Sequence, residues 1–131
     1  MVSIENTVKE FWDAVANSNM ERLGAVLSDE VKILGSSGLR YGKKEIMEYF
    51  SHSSMPYGDR ESVLVGTYEI GKTFIIESLL KAIHVGEYMG IPPSNKRIEL
   101  PSVNVFEVED GKITAWRQYQ NNKILLDQHN R

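Results

Sequence analysis

The chain has no cysteine, only three histidines, and little charge of either sign in excess. Without thiols there is no disulfide framework and no thiolate to act as nucleophile or metal ligand. His52, His84 and His129 are dispersed and form no metal-ligand spacing, so no metal or other cofactor is expected. No apolar run approaches the ~20 residues that span a bilayer. The opening MVSIENTVKE lacks a basic segment followed by an apolar one, so neither a membrane partner nor an export leader is expected. Fifteen Lys and Arg against 18 Asp and Glu leave a formal net charge of -3, which supplies no basic field for a phosphate backbone. The expectation is a cytoplasmic protein that binds no nucleic acid.

What is present is ordinary globular material. At 131 residues, 41% hydrophobic and 25% charged, the chain is expected to form one domain, 1–131, around one core. Val8, Phe11, Trp12, Val15 and Ala16 recur at helical spacing behind Ser3, a fitting N-cap, and predict a helix over 3–17. Leu23, Val26 and Leu27 predict a second short helix, and Ile46, Met47 and Phe50 a third, beginning near Tyr41-Gly42. Val31-Lys32-Ile33 reads as a short strand running into Gly35-Ser36-Ser37-Gly38.

From Glu61 the pattern turns to β. Ser62 to Ile70 and Thr73 to His84 flank the turn residues Gly71-Lys72, and Ile98 to Val108 and Lys112 to Gln120 flank Asp110-Gly111, the strongest hairpin signal in the chain. Ile124 to Gln128 predicts a closing helical turn. Helices followed by strands define an α+β class, with a curved, mostly antiparallel sheet packed on the N-terminal helices. A sheet bent around a helix leaves a hollow at its open end, the natural place for a ligand.

The stretch HVGEYMGIPPSNKRIELPSVNVFEVEDGKITAWRQYQ carries a resemblance. His84, Gly86, Glu87, Tyr88, Gly90-Ile91-Pro92-Pro93, Lys96, Phe106, Asp110-Gly111-Lys112-Ile113, Trp116 and Leu125-Leu126 with Gln128 resemble the SnoaL-like polyketide cyclases. These belong to the superfamily of nuclear transport factor two, ketosteroid isomerase and limonene epoxide hydrolase. The resemblance implies a cone-shaped barrel, a pocket for a small, largely hydrophobic molecule, and a homodimer, associating through the sheet face in some members.

The departures matter as much. The acid/base Asp that the cyclases carry after the Trp falls on Gln120 or, counted from Leu125-Leu126, on Asn121. A carboxamide neither titrates nor carries a proton in transit. The epoxide hydrolase's charged trio falls on Gln118, Glu87 and Val85, which leaves one carboxylate, and the isomerase's base and donor positions read Leu34-Gly35-Ser36 and Phe11-Trp12. Neither reaction is expected.

Trp116, Gln118 and Gln120 alternate along one strand and so share a face. Two amides there would bond a ligand's oxygens while Trp116 packs its apolar body; the alternative is a polar face beside a core indole. His84 and Glu87 are the titratable pair that the signature keeps, as surrogate acid and base if the segment bends, or as a hydrogen-bonded His and a solvated Glu. Trp12, Tyr88, Phe106 and Asn104 complete the expected ligand-contacting set, the aromatics being equally consistent with core. Glu77, within FIIESLL, is either outward-facing or a buried acid, the outward reading being favoured. The Met55-Pro56-Tyr57 segment reads as a loop positioned to act as a lid.

Overall fold

The computed structural model of the chain describes residues 3–35, 38–52, 57–87 and 90–129. Tyr88, Met89, Met55 and Pro56 lie outside the described residues, and with them the expected ligand contact at Tyr88 and most of the expected lid.

Helix α1 spans Ile4–Ala16 and starts as predicted: the Ser3 hydroxyl accepts the Asn6 N–H at 3.1 Å, satisfying one of the donors a helix start leaves bare. Its apolar stripe of Val8, Phe11 and Ala14 is wholly buried. Helix α2, Met20–Ala25, is capped by Asn19, whose side-chain oxygen accepts the Arg22 N–H. Leu27, expected in that helix, instead opens strand β1, Leu27–Gly35. The strand therefore absorbs the polar stretch Ser28-Asp29-Glu30 as well as Val31-Lys32-Ile33. Strand β2, Gly38–Tyr41, was not expected from the sequence; it is four residues long and pairs only with β1. Helix α3 covers Lys43–His52.

The long strands are β3 (Tyr57–Ile70), β4 (Thr73–His84), β5 (Arg97–Glu109) and β6 (Lys112–Gln120), followed by helix α4, Asn122–His129. Asp110 and Gly111 both have positive φ, 52° and 73°, the conformation a two-residue hairpin demands. The six strands form one sheet in the order β2-β1-β6-β5-β4-β3. Every pairing is antiparallel except β1 with β6, which is parallel. The sheet is open, with β2 and β3 as its edges, so the expected barrel is corrected to an unclosed α+β sheet: the two edge strands do not pair with each other.

The helices cover one face. Phe11 of α1 packs edge-on against Phe106 and Trp116, with ring centroids 5.5 and 5.2 Å apart, and Phe50 of α3 stacks 6.3 Å from Trp116. Leu23, Leu27, Val31, Ile33, Ile46, Phe74, Val108 and Ile113 complete this core. A second, smaller cluster of Ala82, Ile98 and Leu100, with Tyr57, Leu80 and Ile91 against it, lies farther along β4 and β5.

Pro101 sits inside β5, a position proline normally avoids because it cannot donate to the ladder. Both the N–H and the C=O of Glu99 point away from β4, toward Gln128 of α4. Pro101, two residues on, shares that orientation. On that side β6 has already ended, since Gln120 pairs with Ser102. Proline thus occupies a position where no strand asks for its N–H.

Candidate functional site

Register across β4, β5 and β6 builds the helix-covered face row by row. Phe74, Phe106 and Trp116 make an aromatic row; Ile76, Asn104 and Gln118 make the next; Ser78, Ser102 and Gln120 the third. Leu80 with Leu100 and Ala82 with Ile98 then return to apolar side chains. A band of amides and hydroxyls two rows deep therefore separates the two hydrophobic clusters. Every group in it is neutral.

Trp116 is only 7% exposed, and its indole N–H donates to Asn104 Oδ1 at 2.9 Å, a buried bond that fixes both side chains. Its ring lies 5.8 Å from Phe106 at an interplanar angle of 3° and 5.5 Å from Trp12 at 86°. Trp12 is half-buried, whereas Phe106 is fully buried core. Ser78 and Ser102 share a hydrogen bond between their hydroxyls at 3.3 Å. Gln118 and Gln120 are half-buried beside them, and the Gln118 amide makes no hydrogen bond among the described residues. Gln120 lies on this face, in the row of Ser102. Asn121 is exposed at the start of α4, where its side-chain oxygen accepts the Lys123 N–H at 3.1 Å and acts as a cap.

His84 ends β4 on the same face and is completely buried. Its backbone is held twice, donating to the Lys96 carbonyl and accepting from the Asn95 N–H. Tyr57 lies opposite in register, with ring centroids 6.2 Å apart. Glu87 is exposed, beyond the end of the strand. The two members of the expected acid/base pair thus occupy different surroundings, one enclosed beside Tyr57 and one in water. Ser78 and Ser102 were missed from the sequence, and Tyr57, expected in a lid loop, instead opens strand β3. The two serines left a signal: each interrupts an apolar run, at positions whose register matches that of Asn104 and Gln120. The approach of Tyr57 to His84 left none, because only strand pairing brings the two together.

Among the described residues no group of three His, Asp or Glu is arranged to hold a metal ion, and no helix is long and apolar enough to cross a membrane.

An open sheet with helices on one face, and a polar band set into that face beside a buried tryptophan, defines a small α+β protein. The chain belongs to the SnoaL-like domain family, whose model matches residues 8–116. In structure it is similar to a protein described as a SnoaL-like polyketide cyclase from Jannaschia sp. CCS1, with a TM-score of 0.79 at 16% identity over 94% of this chain and 88% of that one. It is similar also to IdmH of Streptomyces antibioticus, described as a polyketide cyclase, with a TM-score of 0.78 at 16% identity over 99% and 100% of the two chains. A third neighbour is an epoxide hydrolase of the LEH-like type from M. tuberculosis, with a TM-score of 0.74 at 20% identity over 98% and 90%. At these identities the likeness is one of fold. No curated protein matches the chain in sequence.

Proposed function

We propose that the protein binds a small, uncharged, largely hydrophobic molecule bearing one or more carbonyl or hydroxyl oxygens, against the polar band of the helix-covered face. One observation carries this reading: Asn104, Gln118, Ser78, Ser102 and Gln120 bring amides and hydroxyls together between two apolar clusters without a single charge. The half-buried Gln118 amide makes no hydrogen bond among the described residues, and a ligand's oxygen supplies its N–H with a partner. A charged ligand would lose its hydration there and meet no counter-ion. Two of the structural neighbours are described as polyketide cyclases, which makes a ketone-bearing molecule a fitting class of ligand.

The chain's two tryptophans, Trp12 and Trp116, both border this band, so their fluorescence reports on it. In a titration with neutral polycyclic ketones, the expected result is saturable quenching that weakens roughly tenfold in Gln118→Leu, the change that loss of a ligand hydrogen bond typically brings. Equal affinity in wild type and variant, or no response to any member of the panel, would exclude this site.

A second reading, catalysis of a cyclase-like or isomerase-like proton transfer, is favoured by the family and by the band's own chemistry, since amide donors stabilise an enolate without titrating. His84 stands six residues along β4 from Ser78, about 20 Å by strand rise, beyond the reach of a ligand in the band, so the proton exchanges with water there. Deuterium wash-in at the α-carbon of a bound ketone reads it directly. Wash-in slowed at saturating ketone in Gln118→Leu supports catalysis; no wash-in by the wild type, with binding intact, leaves a binding protein.

A further inference from the structure

The donors and acceptors of the band are not interchangeable, and one of them is set by the core beneath it. An indole N–H donates a hydrogen bond and accepts none. The Asn104 atom that meets Trp116 at 2.9 Å is therefore the amide oxygen, Oδ1. Both partners are buried, Asn104 at 4% exposure, and the indole is itself held in place, with Phe106 stacked on it and Phe11 packed edge-on. Turning the carboxamide over would set N–H against N–H inside the protein, a mismatch between buried donors that costs more than the bond contributes. Asn104 is thus locked in one of the two orientations open to an asparagine. Its Nδ2, on the other side of the planar amide, turns away from Trp116 and has no hydrogen-bond partner among the described residues. Gln118 stands directly opposite on β6, so the two side chains leave the sheet about 5 Å apart on the same face. Its amide is also without a partner among the described residues, whereas the hydroxyls of the next row, Ser78 and Ser102, engage each other.

We infer that Asn104 determines specificity: its polarity fixed by Trp116, it presents N–H groups only, and with the Gln118 N–H it forms a two-donor clamp that takes a ketone oxygen in preference to a hydroxyl. This clamp rests on the band being the binding site proposed above, and it narrows the ligand's oxygen at that point to a pure acceptor. A carbonyl oxygen offers two lone pairs in one plane and asks for no acceptor in return. A hydroxyl brings a proton that N–H groups cannot take, and in a half-buried site that proton stays unmatched. Trp116 is here a positioning residue, acting on the ligand's oxygen through the amide that it orients.

Three probes of one shape test the clamp: 2-acetylnaphthalene, 1-(2-naphthyl)ethanol, and 2-isopropenylnaphthalene, which has no polar atom. Each is titrated into the full chain while the side-chain amide resonances of Asn104 and Gln118 are followed by NMR. The wild type is expected to bind the ketone roughly tenfold more tightly than the alcohol or the alkene, with saturable shifts at both amides. In Trp116→Phe a ring remains but the lock is gone, and the ratio of ketone to alcohol affinity is expected to fall toward one. In Asn104→Asp the carboxylate still accepts the indole N–H but offers an acceptor where the donor stood, so the order is expected to invert, the alcohol binding more tightly than the ketone. General damage to the fold weakens both probes alike and leaves their ratio unmoved. The wild-type ranking and the Trp116→Phe ratio stand even if Asn104→Asp folds poorly. Equal affinity for ketone and alcohol in the wild type, or a ratio unchanged in Trp116→Phe, would overturn the clamp and leave the band as a binding site. No saturable binding of any probe, or shifts remote from the two amides, would remove the binding site and the clamp together.

Discussion

Trp116 and Asn104 illustrate how one hydrogen bond settles two side chains. The indole is enclosed by Phe11, Phe50 and Phe106, and its N–H has to find an acceptor inside the protein. Asn104 supplies it from the neighbouring strand at 2.9 Å, diagonally across the pairing of Phe106 with Trp116. Truncation by Asn104→Ala leaves a buried donor unmatched and opens a small void, so unfolding in urea is expected to show a loss of about 2–3 kcal/mol. A loss below about 0.5 kcal/mol would mean that water replaces the amide. Much of this was legible from residue order alone: alternation places Trp116, Gln118 and Gln120 on one face, and the register agrees. The difference between Gln120 and Asn121 was not legible, because one peptide step separates a side chain in the band from a helix cap in solvent.

At the scale of elements, strand endings do much of the positioning. β6 stops at Gln120, which leaves the edge of β5 bare from Pro101 toward Arg97. Gln128 of α4 covers part of that edge by imitating a peptide unit: its side-chain oxygen accepts the Glu99 N–H at 2.8 Å, and its amide donates to the Glu99 carbonyl at 2.8 Å. The final helix is thereby pinned to the sheet by two bonds from one side chain. In Gln128→Ala both are lost, and hydrogen exchange at the Glu99 amide is expected to accelerate at least several-fold while exchange at Phe106, in the core of β5, stays unchanged. Equal exchange at Glu99 in both proteins would show that α4 is held by other contacts. The hairpins around Gly71 and Gly111 were readable because two-residue turns have strong local chemistry. β2 was not, since a four-residue strand with exposed side chains has no burial pattern to read, and it forms because β1 offers its edge.

For the whole molecule, the polar band divides the helix-covered face into a large aromatic cluster and a small aliphatic one, so α1 and α3 stabilise one half of the sheet more than the other. Surface ion pairs tie distant segments across this frame. Arg22 of α2 bonds Glu10 at 2.6 Å and Asp13 at 2.6 Å, clamping α2 to α1, and Lys72 meets Glu109 at 2.8 Å between the two hairpin turns. Hydrogen bonding to Arg22 holds the Glu10 carboxyl below its usual range, and hydrogen bonding to Lys72 does the same for Glu109. A carboxyl whose pKa is lowered by folding contributes stability that is complete above its unfolded value, about 4.3, and disappears as pH falls through the lower folded value. The melting temperature is therefore expected to fall as pH drops from about 5 toward 3, and to fall less steeply in Glu10→Gln/Glu109→Gln. Parallel curves for the variant and the wild type would assign acid sensitivity to other carboxylates. The effect is small in absolute size because these pairs are exposed.

The sequence by itself determined the class, the helix that caps the core, the two hairpins, and the shared face of Trp116, Gln118 and Gln120, since periodicity and turn chemistry are local properties. Only the tertiary structure decided that β1 runs parallel to β6, that the sheet stays open, and that His84 is enclosed beside Tyr57 while Glu87 faces water. Each of these depends on pairing between segments far apart in the chain, and the free energy that selects a pairing lies in the packing of the assembled sheet, which no single window of residues contains.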